Sequence, residues 1–405
     1  MFPGWAKRRS VPPLNRSESR AVKPLSKTRI AIVHEWPVVY AGSERVVSAM
    51  LEVYPGADLY ALVHDSEALR GTPLEGVPVQ TSFIQSLPKS KEKYRSYLPL
   101  MPLAVEQFDL RHYDIVISSN HAVAKGALTG PDQLHVSYVH TPARYAWDLY
   151  QDYLTESGLD RRIKGLFARL VLHYIRLWDL SASYRVDAYL ANSSYVARRI
   201  GKLYRRRARV IHPPVDVDSY RSDQLREEYF VAVSRFVPYK RMDLIADTFT
   251  RMGKPIVIIG GGSEFEKVRR ESGPNVQLLG YQPDEVVTDY LQRARALVFA
   301  ANEDFGIVPV EAQAAGCPVI AYGRGGALET VVGWPATNPT GAFFDAQTPG
   351  AIEAAVKLFE AHNNEFLPEN CRLNAERFGR ERFHRELKAV IEDLWAKFQC
   401  NEPLE

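Results

Sequence analysis

Short apolar runs rich in valine, isoleucine and leucine alternate with amphipathic stretches along most of this chain. Continuous apolar runs of strand length are typical of strands that are buried on both faces of a parallel sheet. Their regular alternation with helical stretches predicts an α/β fold. The runs form two sets, one at Arg29–Glu35, Tyr113–Ser119, His135–His140 and Asp187–Ser193, the other at Tyr229–Ser234, Pro255–Gly260, Val276–Gly280, Ala296–Ala300 and Pro318–Tyr322.

A segment rich in proline and charge, residues 213–228, separates the two sets and predicts a hinge. We therefore expect two Rossmann-like domains with a cleft between them, in residues 28–212 and 213–380. Residues 1–27 carry several Lys, Arg, Pro and Ser without periodicity, which predicts a disordered basic tail. A final helix is expected over about Cys371–Phe398, and residues 381–405 form a separate C-terminal segment.

Bulk composition fits an enzyme with two full cores, since 46% of the 405 residues are hydrophobic. The formal net charge of +3 does not indicate a nucleic-acid partner. No run reaches the roughly 18 apolar residues that span a bilayer, and the first residues lack the apolar region of a secretion signal. The cysteines have neither disulfide nor zinc spacing. We expect a reduced cytoplasmic location, no structural metal, and membrane contact only from the cytoplasmic side.

The stretch Asn302–Gly316 (NEDFGIVPVEAQAAG) places Glu303 and Glu311 eight positions apart, directly after the apolar run Ala296–Ala300. Ligands of open α/β sheets bind at the carboxyl ends of strands, and the N-terminus of the next helix offers unpaired N–H groups to an anion. Glu311, about two turns into that helix, can accept hydrogen bonds from ribose hydroxyls. The backbone N–H groups predicted to hold phosphate oxygens belong to Phe305, Gly306, Ile307 and Val308.

Several further motifs accompany this one in a fixed order: AGSERVV (41–47), HTPARYAWD (140–148), SRFVPYKRMDL (234–244), VIIGGGSE (257–264) and GRGGALETV (323–331). Together they resemble the retaining glycosyltransferases of family 4. The resemblance implies the GT-B fold, in which a C-terminal helix crosses back to the N-terminal domain. With SSNHAVAKG (118–126), the set looks most like the WbaZ-type branch, whose members are largely mannosyltransferases that use GDP-mannose.

The resemblance assigns the donor diphosphate to Arg235 and Lys240, five residues apart after the run Tyr229–Ser234. Glu303 would bind sugar hydroxyls and Glu311 the ribose. Arg241 is the neighbour most easily confused with Lys240 and is the weaker candidate. Two cations can stabilise the charge that develops on a leaving diphosphate, and no Asp-x-Asp motif stands at a strand end. We therefore expect a metal-independent enzyme without a resident cofactor.

Three consecutive glycines, Gly260–Gly262, end a predicted strand. The dinucleotide fingerprint would require another glycine at Phe265, so a nicotinamide cofactor is not expected. By resemblance Gly260 and Gly261 lie beside the nucleotide and Tyr281 borders the base, although Tyr281 is equally compatible with an ordinary turn. Gly42 is expected to approach the donor phosphate.

His140 ends a predicted strand, where a lone histidine is often a structural residue. In the family, a histidine in this HTP motif contacts the donor sugar or the reacting centre, so we predict that His140 is catalytically important through hydrogen bonding. Arg144, Tyr145 and Trp147 follow it and are expected to shape the acceptor side, although Trp147 is equally compatible with the core.

Residues Ser86–Leu110 alternate Lys and Arg with Tyr, Leu and Met. Basic and aromatic residues together suit a surface that meets anionic lipid headgroups, whereas a solvated helix with a buried apolar side is the alternative. If the segment meets a membrane, the glycan acceptor is lipid-linked.

The sequence thus predicts a retaining hexosyltransferase of polysaccharide or lipopolysaccharide biosynthesis, with GDP-mannose as donor. A UDP-glucose or UDP-galactose transferase is the alternative within the same class. A catalytically silent GT-B protein that binds glycan is an alternative from another class. It is disfavoured because a binding module has no need of Arg235, Lys240, Glu303 and Glu311 together.

Overall fold

The structure, a computed structural model, describes residues 23–156 and 163–404. The expected basic tail lies almost wholly outside the described residues. The first sheet has seven parallel strands in the order β3-β2-β1-β4-β5-β6-β7. Its strands are β1 Ile30–His34, β2 Asp58–Ala61, β3 Val79–Thr81, β4 Ile115–Asn120, β5 Leu134–Val139, β6 Ala188–Ala191 and β7 Arg209–Val210.

The second sheet has six parallel strands in the order β10-β9-β8-β11-β12-β13. Every apolar run of the sequence analysis overlaps one strand, and the predicted fold of two Rossmann-like parallel sheets is confirmed. The strands are β8 Phe230–Val233, β9 Ile256–Ile259, β10 Val276–Gly280, β11 Leu297–Phe299, β12 Val319–Tyr322 and β13 Gly341–Phe344.

Four strands have no counterpart among the predicted runs, namely β2, β3, β7 and β13. Each has only two to four residues. Runs of that length carry too little periodicity to stand out from a turn. Three of the four lie at sheet edges. There, hydrogen bonding to a single neighbouring strand holds the segment extended although its own sequence does not indicate a strand.

Helices flank both sheets, and short 3-10 turns occur at Leu25–Lys27, Phe83–Ser86, Tyr94–Leu100, Ala124–Gly126, Val217–Ser219, Pro238–Lys240 and Asn363–Glu365. None of the helices within the described ranges is long and apolar enough to cross a bilayer. The helices are α1 Gly42–Val53, α2 Ser90–Lys93, α3 Met101–Val105, α4 Tyr150–Glu156, α5 Ile163–Ser183, α6 Ser194–Tyr204, α7 Met242–Met252, α8 Phe265–Glu271, α9 Asp284–Arg293, α10 Ile307–Ala314, α11 Ala327–Thr330, α12 Pro349–Ala361, α13 Pro368–Glu376 and α14 Arg380–Gln399.

The chain crosses between the sheets twice, and the two crossings touch. Val215, in the predicted hinge, donates its N–H to Phe378 O at 2.9 Å. The expected single helix over Cys371–Phe398 is instead two helices, because the chain is extended at Gly379 where it pairs with the hinge. The second of them, α14, returns to the first sheet as predicted, and it buries Phe383, Leu387, Ile391, Leu394 and Trp395 in the core there.

Candidate active site

Sheet order brings the predicted diphosphate and sugar residues together. Because β8 and β11 are neighbours, the loops after them meet at one edge of the second sheet. Lys240 ends the 3-10 turn Pro238–Lys240, and its ammonium contacts the Glu303 carboxylate. Burial and the adjacent Arg235 lower the pKa of Lys240 to about 7. An incoming diphosphate would therefore meet a cation held between a carboxylate and a second cation.

Arg235 and Arg241 differ in what they contact. Arg235 donates from Nη2 to Tyr239 Oη at 3.0 Å, on the same loop as Lys240. Arg241 has a left-handed backbone (φ 56°) and pairs instead with Asp243 at 3.4 Å. The turn thus points the two basic neighbours Lys240 and Arg241 to different partners.

The loop that carries Glu303 is held in place by a pair of glycines. Gly325 and Gly326, in the GRGG stretch, pack directly on it, and Gly326 donates its N–H to Glu303 O at 2.9 Å. A Cβ on Gly325 would lie 2.2 Å from Glu303 O, and one on Gly326 would lie 2.2 Å from Phe305 O. These glycines are therefore needed for backbone packing that fixes the loop.

The glycines after β9 also have a packing role. Gly260 has φ 141°, and a Cβ there would lie 1.8 Å from Ser234 O. Gly262 has φ 154°, and a Cβ there would lie 2.4 Å from Phe236 O. Gly261 accepts the N–H of Phe236 at 2.9 Å. The turn thus supports the Arg235 loop from behind, while Tyr281 is 84% exposed at the rim.

Helix α10 begins at Ile307 after Gly306, which has the positive φ of 85° that glycine favours. Its N-terminal turn faces the N-terminus of α1, and a Cβ on Gly42 would lie 2.9 Å from Ile307 Cδ1. Gly42 therefore lies close to the second domain at the start of α10, and its expected approach to a donor phosphate stays a prediction. Phe305 is buried against His212 and Phe378 near the hinge, with ring centroids 5.6 and 5.5 Å away.

Arg45, which the sequence analysis missed, crosses the cleft to the predicted ribose ligand. Its Nη1 donates to Glu311 Oε1 at 2.6 Å, and its Nη2 contacts Asp284 Oδ2 at 3.1 Å. Arg45 thus binds one oxygen of the buried Glu311 carboxylate and leaves Oε2 for another donor. Arg45 lies inside AGSERVV, but the sequence alone gives no sign that it faces the second domain.

Three further cleft-crossing contacts were also missed. Arg199 Nη1 lies 2.5 Å from Asp304 Oδ1 and its Nη2 lies 2.8 Å from Asp148. Arg144, an expected acceptor residue, donates to Asn302 O at 3.4 Å. Glu329, in the GRGGALETV stretch, accepts the backbone N–H groups of Ser194 and Tyr195 at 2.8 and 3.0 Å. These contacts join the HTP loop and α6 to the segments that follow β11 and β12.

The remaining expected acceptor residues are half-buried. Trp147 donates from Nε1 to Asp179 Oδ2 at 2.8 Å, and Tyr145 packs in the cluster formed by α5 and the HTP loop. The contact with Asp179 favours the alternative in which Trp147 packs with the domain core.

His140 lies at the carboxyl end of β5, and the sheet register places it beside His121. Asn120 pairs with Val139, so the next residues of both strands emerge together with ring centroids 6.3 Å apart. His140 Nε2 bonds Ser119 Oγ at 2.8 Å, and its carbonyl accepts Asn192 Nδ2 at 2.8 Å. Burial and the neighbouring His121 and His34 lower the pKa of His140 to about 3. It is therefore a neutral imidazole at physiological pH.

A buried carboxylate organises this edge of the first sheet. Glu35 follows β1 and accepts the backbone N–H groups of residues 121 to 124 at 2.6 to 3.1 Å, and its Oε2 lies 2.5 Å from His121 Nδ1. Although burial opposes ionisation, His121 and His34 hold the pKa of Glu35 well below its ordinary value. Burial likewise disfavours the imidazolium, yet Glu35 raises the pKa of His121. The edge thus pairs a stabilised cation with neutral His140.

The buried neutral histidines predict acid sensitivity. His140 and His135 have pKa values lowered by burial to about 3 and about 4, whereas an unfolded histidine titrates near 6.5. Between pH 6.5 and about 4 the unfolded chain binds more protons, so stability should fall on acidification by up to about 1.4 kcal/mol per pH unit for each histidine. The raised pKa of His121 has the opposite effect: the stability that His121 contributes is lost as pH rises above 6.5. Urea unfolding at pH 6.5 and 5.0 measures the slope.

In that experiment His135→Gln should remove about half of the slope, because one of the two histidines no longer titrates. The glutamine amide can still bond Ser118 Oγ, which lies 2.9 Å from His135 Nε2. His173 is exposed on α5, so His173→Gln is the matched control. An unchanged slope in His135→Gln would contradict the assignment.

No group of three or more His, Cys, Asp or Glu side chains suited to a metal ion occurs within residues 23–156 and 163–404. The candidate site brings together cations, carboxylates and helix N-termini on the two facing sheet edges. A cleft of this kind between two parallel α/β sheets, with a returning C-terminal helix, defines the GT-B fold.

Comparisons with known proteins agree. Residues 40–219 match the sequence model described as Glycosyltransferase Family 4, and residues 220–378 match Glycosyl transferases group 1. The two matches are contiguous and cover most of the chain, which belongs to glycosyltransferase family 4.

Among curated relatives, the chain is 32% identical over 200 residues to the GDP-mannose-dependent alpha-(1-6)-phosphatidylinositol monomannoside mannosyltransferase of Mycobacterium tuberculosis, covering 40% of this chain and 50% of the relative. It is 24% identical to the alpha-1,3/1,6-mannosyltransferase alg2 of Schizosaccharomyces pombe over 277 residues, covering 55% of this chain and 52% of the relative. The chain spans 50 to 60% of the length of the first curated relatives that it matches.

Solved structures resemble it over nearly their whole length. The sucrose-phosphate synthase of Thermosynechococcus elongatus superposes with a TM-score of 0.69 at 16% identity, covering 91% of this chain and all of that one. Anabaena Alr3699/HepE in complex with UDP gives 0.62 at 15% identity, covering 90% of this chain and all of that one. At these identities the likeness shows the fold.

Proposed function

We propose that this glycosyltransferase moves mannose from GDP-mannose to a growing glycan with retention of anomeric configuration. The observation that carries the proposal is the cluster of Lys240, Glu303 and Arg235 at the meeting point of β8 and β11. A binding protein would have no use for a cation pair beside a sugar-binding carboxylate. Mannose is supported by both mannosyltransferase relatives, and the guanine nucleotide is supported by the GDP-mannose-dependent relative of Mycobacterium tuberculosis.

Each residue of the cluster has one role in the proposed reaction. The bond between the sugar carbon C1 and the diphosphate oxygen breaks, and Arg235 and Lys240 stabilise the negative charge that builds on that oxygen. The acceptor hydroxyl attacks C1 on the same face, and its proton passes to the leaving phosphate. Glu303 orients the sugar hydroxyls. Backbone N–H groups at the start of α10 add to the phosphate site.

Glu311 and His140 complete the proposed donor site. Because Arg45 holds Oε1 of Glu311, the ribose hydroxyls would bind Oε2. Neutral His140 would hydrogen-bond the donor sugar or the reacting centre without carrying charge. Gly260, Gly261 and Tyr281 would border the nucleotide.

The acceptor in this proposal is a lipid-linked glycan of polysaccharide or lipopolysaccharide biosynthesis, used at the cytoplasmic face of a membrane. Arg144, in the HTP loop, contacts the backbone of the loop that carries Glu303 and would face the incoming glycan. The Ser86–Leu110 segment gives this part of the proposal less support than its sequence suggested, because Tyr94, Met101, Ala104 and Val105 are buried in the domain core. Its lysines at 89, 91 and 93 remain exposed.

A panel of nucleotides tests the donor. Ligands that bind only the folded state raise its stability by about 2.7 kcal/mol at a hundredfold excess over Kd. GDP and GDP-mannose should therefore raise the melting temperature more than UDP or UDP-glucose at equal concentration. Glu311→Gln should reduce the shift given by GDP.

Two outcomes would contradict the proposal. A larger shift with the uridine nucleotides would indicate a UDP-glucose or UDP-galactose transferase. The absence of a shift with every nucleotide would indicate a catalytically silent GT-B protein.

A further inference from the structure

Two consecutive residues near the start of α1 have their partners in different domains. Glu44 is buried in the first domain, where its Oε1 lies 3.0 Å from His34 Nε2 and its Oε2 accepts the N–H of Ala41 at 3.1 Å. Arg45 reaches the second domain instead and contacts Glu311. The first turn of α1 is therefore anchored in one domain, while its next side chain binds the other.

The Arg45 guanidinium bridges two helices of the second domain. Its Nη1 donates to Glu311 on α10, and its Nη2 donates to Asp284 on α9. The two carboxylates differ in burial, because the side chain of Glu311 is 9% exposed and that of Asp284 is 78% exposed. A charge-assisted hydrogen bond to a buried carboxylate is stronger than an ion pair in solvent. Glu311 is therefore the partner through which Arg45 should have its main effect.

The contact with Arg45 fixes the Glu311 carboxylate before any ligand arrives. Burial opposes the positive charge of Arg45, yet Glu311 raises the pKa of Arg45. Arg45 is therefore a cation, and its planar guanidinium holds Oε1 of Glu311 in one direction. The direction of the other oxygen, Oε2, is set at the same time. A binding group that is already oriented loses less conformational freedom when its ligand binds.

We propose that Arg45 is a positioning residue for the nucleotide of the donor: from the first domain it holds the Glu311 carboxylate so that Oε2 accepts the ribose hydroxyls. This inference rests on the proposed function for the assignment of the ribose to Glu311. Arg45 itself touches neither the sugar nor the diphosphate and acts through Glu311. Because the two residues lie in different domains, the ribose site is complete only when the cleft is closed.

An ion pair that merely joins the two domains is the competing interpretation. In that case the loss of Arg45 would loosen the cleft and weaken every nucleotide that binds there to the same extent. A positioning role is narrower, since it acts only on ligands that carry ribose hydroxyls. Nucleotides with and without these hydroxyls therefore separate the two interpretations.

Isothermal titration of the full chain with GDP and with dideoxy-GDP, which lacks both ribose hydroxyls, tests the role. Arg45→Met should weaken GDP binding at least about fivefold, the lower end of typical coupling between two sites. The same variant should change dideoxy-GDP binding by less than about twofold, as for independent sites. Arg45→Lys keeps the charge without the planar fork and should recover part of the GDP affinity. Arg111→Met, which breaks an exposed pair with Asp109, is the matched control and should bind both nucleotides like wild type.

A double variant controls for the buried charge that Arg45→Met leaves without its cation. Arg45→Met/Glu311→Gln has no unpaired carboxylate at this position. If Arg45 acts through Glu311, the double variant should bind GDP within about twofold of Glu311→Gln alone, because the two losses are not additive.

Three results would overturn the positioning role: equal GDP binding by wild type and Arg45→Met, an equal loss for GDP and dideoxy-GDP, or a further large loss in the double variant. UDP and dideoxy-UDP provide the same comparison. A preference for the uridine nucleotides would change the proposed donor, and a loss confined to UDP in Arg45→Met would still support the role of Arg45. The absence of binding by every nucleotide would remove both proposals.

Discussion

Replacing Lys240 with alanine is expected to lower kcat/KM for the donor by about 10- to 150-fold, the equivalent of the ~1.5 to 3 kcal/mol of a charge-assisted hydrogen bond. The ammonium is buried beside Glu303 and Arg235, where the diphosphate charge would develop. Because the pKa of Lys240 is lowered to about 7, the free enzyme loses this positive charge as pH rises above neutrality. Donor KM should accordingly rise between pH 7 and 9 in wild type, and much less in Lys240→Arg. Steady-state kinetics across that range measure both effects.

Arg241→Ala is the matched control, since Arg241 is adjacent in sequence but pairs with Asp243 away from Glu303. It should change kcat/KM by less than about threefold, in keeping with an exposed ion pair. EDTA should leave wild-type activity intact. Full activity in Lys240→Ala would remove the diphosphate assignment, and abolition of activity by EDTA would remove the metal-independent mechanism.

Lys125→Met is expected to lower the free energy of unfolding by about 3 to 5 kcal/mol, because it leaves the buried Asp179 charge without its cation. The ion pair between Lys125 and Asp179 is fully buried. Asp179 also accepts Trp147 Nε1 at 2.8 Å and Tyr204 Oη at 2.9 Å. This carboxylate therefore joins the HTP loop, α5 and α6. Urea denaturation of the purified variant measures the loss.

Lys125→Met/Asp179→Asn should recover part of that loss, since no buried charge remains and asparagine can still accept the Trp147 and Tyr204 hydrogen bonds. Lys357→Met, which breaks an exposed pair with Glu353, should cost no more than about 0.5 kcal/mol. A Lys125→Met effect as small as that of Lys357→Met would show that the buried pair contributes little.

The cleft itself is closed by charged contacts, not by an apolar interface. Arg45 reaches Glu311 and Asp284, while Arg199 reaches Asp304. Contacts of this kind are weakened by salt and depend on geometry. We therefore expect them to separate and re-form when the cleft opens, with the paired crossings at Val215 and Gly379 as the predicted hinge.

The sequence by itself determined the two sheets and the donor side of the site. Strands such as β8, β9 and β11 are continuous apolar runs, because burial on both faces leaves few polar positions to interrupt them. The positions of Arg235, Lys240 and Glu303 follow from the same pattern, since residues directly after parallel strands collect at one sheet edge.

Only the tertiary structure decided which groups meet across the cleft and what the glycines are for. Arg45 and Glu311 are 266 residues apart, and no local pattern encodes a contact that depends on how two domains face each other. By resemblance Gly260 was expected to lie beside the nucleotide, and the structure shows in addition that it packs closely on Ser234 of the neighbouring loop. The half-buried Trp147 is likewise tied to the domain through Asp179. Strands are set by short-range burial patterns, whereas these pairings are set by the packing of distant segments, which the chain acquires only when both sheets have formed.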